Sequence, residues 1–208
     1  MKLSGILMLA VLASVSTTVI AQAVPAGSDL GPTVSNMSPI AVSINYTAMI
    51  GNSPPGSCGC FLLNGGSSEG MFHVWRNVSA VAQITGSHTG HIPNSIQGLS
   101  LMTYMGGPRY SFLIGHRVTA YGQFLAGGAH GFDSYFPRND ASSTGAGDSL
   151  AIAPGGGFEV GVRSWLSVRA VEAEYLMTRL PNATDTDQHN LRVSSGVVFR
   201  FSVSRLTR

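Results

Sequence analysis

The chain has 208 residues, of which 44% are apolar and 11% charged, and its formal net charge is +2. A nucleic-acid binder needs a basic face, and a chain this poor in charge does not supply one. Past the first 23 residues no stretch holds 18 successive apolar side chains, which excludes a helical membrane span.

Met1-Lys2 gives a short positive start, an apolar stretch runs from Leu3 to Leu12, and Ala21-Gln22-Ala23 closes the segment. That is the pattern of a secretory signal, with cleavage expected after Ala23. Val24 follows where a lipoprotein anchor would need Cys. Pro25, Gly27, Gly31 and Pro32 make residues 24–37 a flexible leader.

From residue 38 to 201 the chain reads as eight strands with almost no helical periodicity. The first is Ile40–Ile50, with Val42, Ile44, Tyr46, Ala48 and Ile50 on one face and Ser43, Asn45 and Thr47 on the other. A loop with Pro54-Pro55-Gly56 and Ser57-Cys58-Gly59-Cys60 follows. In an exported chain Cys58 and Cys60 meet an oxidising compartment. A loop disulfide between them is the reading taken, with free thiols as the alternative, because so tight a bridge has demanding geometry. The second strand lies near Gly66–Val74, a tight turn sits at Trp75-Arg76-Asn77, and the third strand is Val78–Ser87.

A loop containing His88, His91 and Pro93 leads to the fourth strand, Leu99–Ser111. Pro108 lacks a donor, so the strand is expected to bend or end near it. A short turn over Phe112–Arg117 precedes the fifth strand, Val118–Ala129, and a polar loop is expected over His130–Asp148. The sixth strand is Ser149–Val160, the turn Gly161–Ser164 follows, and the seventh is Trp165–Leu180. The last segment, Asn190-Leu191-Arg192-Val193-Ser194-Ser195-Gly196-Val197-Val198-Phe199-Arg200-Phe201, alternates polar and apolar residues. Residues 202–208 form a short tail.

Long polar connections follow the odd strands and short turns follow the even ones. With apolar residues spread in alternation, this points to a closed antiparallel up-and-down transmembrane β-barrel of eight strands. Leu191, Val193, Val197, Phe199 and Phe201 are expected to face lipid, and Asn190, Arg192, Ser194 and Arg200 the lumen. Trp75 and Trp165 lie beside short turns, near Tyr110, Phe112, Phe199 and Phe201, which suits an interfacial girdle.

Charges on the seventh strand break the alternation. Arg169 falls on the face opposite Glu172 and Glu174. An arginine on the lipid face near the midplane costs about 2–4 kcal/mol. A bulge near Ala170–Val171 is therefore expected to turn all three inward, toward Arg109, Glu159 and Arg192. These six charges are read as an ion-pair network plugging a side-chain-filled lumen. The alternative is a small porin gated by the same cluster.

The C-terminal stretch resembles the assembly signal of outer-membrane barrels: polar Ser194, then Gly196, Phe199 and Phe201. Gly106-Gly107-Pro108-Arg109-Tyr110-Ser111, Glu174-Tyr175-Leu176 and the Cys58-Gly59-Cys60-Phe61 region also resemble bacterial outer-membrane β-barrel proteins. The chain is similar to the small barrels that share the fold of the outer-membrane protein A transmembrane domain. The resemblance implies a monomer in the outer membrane, surrounded by its lipid and lipopolysaccharide. It also implies periplasmic chaperones and the barrel-assembly machinery as partners, and it implies no activity.

Catalytic and metal chemistry find little footing. His88 and His91 have no third ligand nearby in sequence. His73 is expected in the lumen. Pro154-Gly155-Gly156-Gly157 is followed by neither helix nor Lys, so it is no phosphate loop. No cofactor and no enzymatic activity are expected. The function expected is structural or surface interaction, with four outer loops displayed and their ligand left open.

Overall fold

The computed structural model describes residues 38–52, 60–92, 98–137, 142–182 and 186–201. They form eight strands: β1 Ile40–Asn52, β2 Cys60–Trp75, β3 Val78–Thr89, β4 Leu99–Ile114, β5 Val118–Pro137, β6 Ser143–Arg163, β7 Leu166–Thr178 and β8 Gln188–Phe201. Each strand pairs antiparallel with the next, and β8 returns to β1, so the sheet is a closed barrel. The expected signal segment, leader and tail lie outside the described residues.

Alternation in the sequence becomes inside and outside. On β8, Leu191, Val193 and Val197 are exposed, while Asn190, Arg192, Ser194 and Val198 are buried. On β1, Ile44, Tyr46 and Ile50 are exposed, while Ser43, Asn45 and Thr47 are buried. The closing ladder runs from Ile40 opposite Phe201 to Ile50 opposite Leu191. It sets Thr47 beside Ser194 and Ile44 beside Val197, so like faces meet.

The two ends of the barrel differ. Short turns at 76–77, 115–117 and 164–165 mark one end, where residues 40 and 201 also lie. The longer connections mark the other. The loop expected over His130–Asp148 is mostly strand: β5 continues to Pro137 and β6 begins at Ser143. These extensions pair chiefly with each other, beyond the reach of β4 and β7. A register shift between Phe132 and Phe136, with Asp133 at φ 58°, folds Phe136 back into a buried position. The turn expected over Phe112–Arg117 shrinks to 115–117, with Gly115 at φ 76°. β2 likewise starts at Cys60, well before Gly66.

Pro108 does not end β4. Its ladder with β3 is intact at Ala80–Pro108. The ladder with β5 is interrupted between Gly106–Ala126 and Arg109–Gln123. Pro154 does the same on β6, where pairing with β7 skips from Ile152–Met177 to Gly155–Glu174. A prolyl nitrogen has no hydrogen to give, so each proline forfeits one side of its ladder.

The bulge on β7 lies where the charges require it. Arg169 pairs with Gly196 and Glu172 with Ser194, leaving Ala170 and Val171 both on the outer face. Arg169, Glu172 and Glu174 all turn inward and are buried.

Candidate functional site

The lumen has two layers. Toward the short turns lies a charged one. Arg169 is its hub, binding Glu69 at 2.7 Å, Glu159 at 2.9 Å and Glu172 at 2.9 Å. Arg109 binds Glu69 at 2.6 Å, lies 3.5 Å from Glu172, and donates through Nε to Gln123 at 2.7 Å. Tyr121 donates to Glu172 at 2.5 Å, and its ring lies 4.0 Å from the Arg109 guanidinium.

Gln123 extends the network by donating to Glu174 at 3.0 Å. Arg192 closes on Glu174 at 2.8 Å, and donates to Gln83 at 2.5 Å and Thr103 at 3.2 Å. At the rim, Arg200 binds the second oxygen of Glu159 at 2.8 Å. Four carboxylates (Glu69, Glu159, Glu172, Glu174) thus meet four guanidiniums (Arg109, Arg169, Arg192, Arg200), and the lumen carries no net charge. A buried charge is tolerated only when paired and hydrogen-bonded in this way.

Toward the longer connections the lumen turns apolar. Met49, Leu63, Leu101, Met105, Leu125, Leu176 and Leu180 are buried together, with Phe136 folded in from the β5 extension. The sequence leads to the expectation of a lumen filled by an ion-pair network. The apolar layer departs from it because these positions sit where apolar residues occupy both faces, and the inner ones pack as an ordinary core.

Of the residues singled out in the sequence, Arg109, Glu159, Arg169, Glu172, Glu174 and Arg192 converge in the lumen. Glu69, Tyr121, Gln123 and Gln83 join them. Ser194 is buried inside, Phe201 is exposed, and Phe199 stacks on Trp165 at 6.4 Å between ring centres. A Cβ at Gly196 would fall 2.1 Å from the Ile44 carbonyl oxygen, so only glycine fits there. Cys60 opens β2 as an exposed thiol, and the expected Cys58–Cys60 pairing involves a residue outside the described ones. A bridge across one residue strains its own ring.

At the loop end, His88 and Asp133 both bond Ser100, each at 2.9 Å. The hydroxyl donates to Asp133, so the serine stands between the other two. In a hydrolase the histidine stands between acid and nucleophile and takes the proton from the nucleophile. His130 pairs with Asp148 at 2.7 Å, and His189 with Tyr175 at 2.9 Å. Arg179 donates to Asp187 at 2.7 Å and holds that carboxyl below its usual pKa. Among the described residues no three metal-ligating side chains gather at one point.

The sequence matches no family model and no curated protein. Solved structures do match. Neisserial surface protein A aligns with a TM-score of 0.60 at 14% identity, covering 79% of this chain and 98% of its own. The outer membrane protein OprG from Pseudomonas aeruginosa aligns at 0.51 and 8% identity, covering 84% and 99%. This chain has the fold of the small outer-membrane barrels. At such identities the likeness speaks for the fold, and the role of the lumen rests on the side chains above.

Proposed function

We propose that the chain is a plugged outer-membrane barrel with a structural or surface-interaction role, displaying four loops outward and conducting no solute. The filled lumen carries this reading. A neutral ion-pair layer is sealed by an apolar layer, so an ion entering from either end must break buried pairs or cross packed leucines. The exterior supports the membrane setting. Ile44, Phe72, Ile84, Phe124, Leu150, Phe158 and Leu191 are exposed around it, an arrangement that water would penalise and lipid favours.

In this reading the short turns face the periplasm and Trp75, Trp165, Phe199 and Phe201 anchor that interface. Ser194, Gly196, Phe199 and Phe201 serve as the assembly signal read by the barrel-assembly machinery. Lipid and lipopolysaccharide surround a monomer, and no catalytic step is assigned. Expression with the signal segment, fractionation and gels with and without boiling test the setting. A heat-dependent mobility shift in the outer-membrane fraction supports it; a soluble protein without the shift overturns it. Planar bilayers test the plug: wild type should show no conductance steps, and frequent steps would replace the plug with a porin.

A further inference from the structure

Outside the lumen, the described carboxylates all lie at the long-loop end, whereas cations also stand at the other. Arg76, Arg117 and Arg163 are exposed at the three short turns, and among the described residues none has an ion-pair partner. The described carboxylates lie elsewhere: Glu69, Glu159, Glu172 and Glu174 in the lumen, and Asp133, Asp148 and Asp187 at the long-loop end. Each cation also has an apolar neighbour at its own turn: Trp75 beside Arg76, Ile114 before Gly115-His116-Arg117, and Val162 and Trp165 flanking Arg163, all exposed.

Arg76 gives an independent sign. It adopts φ 48°, a left-handed conformation uncommon for a residue with a side chain, and its guanidinium lies 4.6 Å over the Trp75 ring. Glycine would serve that turn without strain, as Gly115 does at φ 76° in the next. An arginine kept in a costly conformation points to a use for its side chain.

We infer that Arg76, Arg117 and Arg163 form a cationic collar that binds the phosphate headgroups of anionic phospholipids in the leaflet around the short-turn end. The placement selects the partner. The turns lie in every second gap of an eight-stranded closed sheet, so the three cations are spread around the rim. A globular acidic protein would reach one of them, whereas a leaflet encircling the barrel reaches all. The exposed tryptophans fix the depth, since such rings settle at headgroup level, and the arginine stems reach from there to phosphate.

The inference rests on the outer-membrane reading, and its test separates the two. The purified barrel is refolded into phosphatidylcholine vesicles containing phosphatidylglycerol, and boundary-lipid selectivity is read with spin-labelled lipids alongside the heat-dependent gel shift. A basic side chain near an anionic surface contributes about fivefold in association at low salt. Wild type should therefore enrich phosphatidylglycerol in its first shell. Arg76→Gln, Arg117→Gln and Arg163→Gln combined should abolish the preference while keeping the gel shift, and half-molar salt should abolish it in wild type. A wild type that shifts on gels yet shows no preference, or a triple variant that keeps it, overturns the collar alone. Binding to acidic cell-wall polymer with no lipid preference overturns it in favour of that polymer. Loss of the gel shift in wild type removes the barrel reading, and the collar with it.

Discussion

Glu159 binds Arg169 through one carboxylate oxygen at 2.9 Å and Arg200 through the other at 2.8 Å, so a single side chain ties the hub of the lumen to its rim. The two arginines differ in exposure: the Arg169 side chain is fully buried, whereas that of Arg200 is 23% exposed. Water can replace Arg200 at Glu159, but nothing can replace Arg169 among Glu69, Glu159 and Glu172. Arg169→Met should cost about 3–5 kcal/mol, as expected when one partner of a buried pair is removed. Arg200→Gln should cost about 1 kcal/mol or less. Urea titration of the vesicle-folded barrel measures both, and equal losses would contradict the hub assignment.

Arg192 and Glu174 allow a sharper test. Arg192→Leu alone strands Glu174, and should cost about 3–5 kcal/mol. Adding Glu174→Leu removes the stranded charge, so the double variant should regain most of that loss. Additive losses in the double-mutant cycle would mean that the pair is not a unit.

Gly196 is set against β1 so closely that a methyl group would strike the Ile44 carbonyl oxygen at 2.1 Å, whereas a Cβ at Gly70 meets nothing within 4 Å. Gly196→Ala should lower the urea midpoint markedly, by about 2 kcal/mol or more, and Gly70→Ala should leave it nearly unchanged. The comparison also tests whether this glycine, which the sequence offers as part of an assembly signal, serves strand closure as well.

Deleting Ala170 removes the bulge residue between Arg169 and Glu172. The shortened strand has Arg169 and Glu172 two residues apart, so plain alternation turns Arg169 and both glutamates inward without a bulge. The deletion should therefore preserve the heat-dependent gel shift, and its loss would contradict the bulge as a device for the odd spacing. Ala170→Val keeps the bulge and should preserve the shift as well.

The bulge shows how charge made the fold legible. Val168, Ala170 and Val171 alone carry no sign of an irregularity; the sign came from requiring Arg169 and Glu172 to share a face. Glu69 was just as accessible in principle, since Ser67, Glu69 and Met71 alternate inward on β2. It was overlooked because Gly65-Gly66-Ser67-Ser68 and Gly70 around it have low strand propensity and no apolar rhythm. The apolar layer was hidden for the opposite reason. Leu125 follows Phe124, and Leu176 stands between Tyr175 and Met177, so alternation is erased where both faces are apolar. The β5–β6 extension read as loop because its Gly, Ser and Asp residues give no burial pattern; its order comes from pairing with each other.

Pro108 and Pro154 settle where the barrel wall is thin. The seam made by chain closure, β8 on β1, runs through 11 consecutive partners without a gap. The β4–β5 and β6–β7 ladders are each interrupted at a proline. Pulled apart sideways, the cylinder would tear first along a flank of the β5–β6 hairpin and not at the join between its first and last strands. The join between the chain's two ends is stitched more evenly than those two walls.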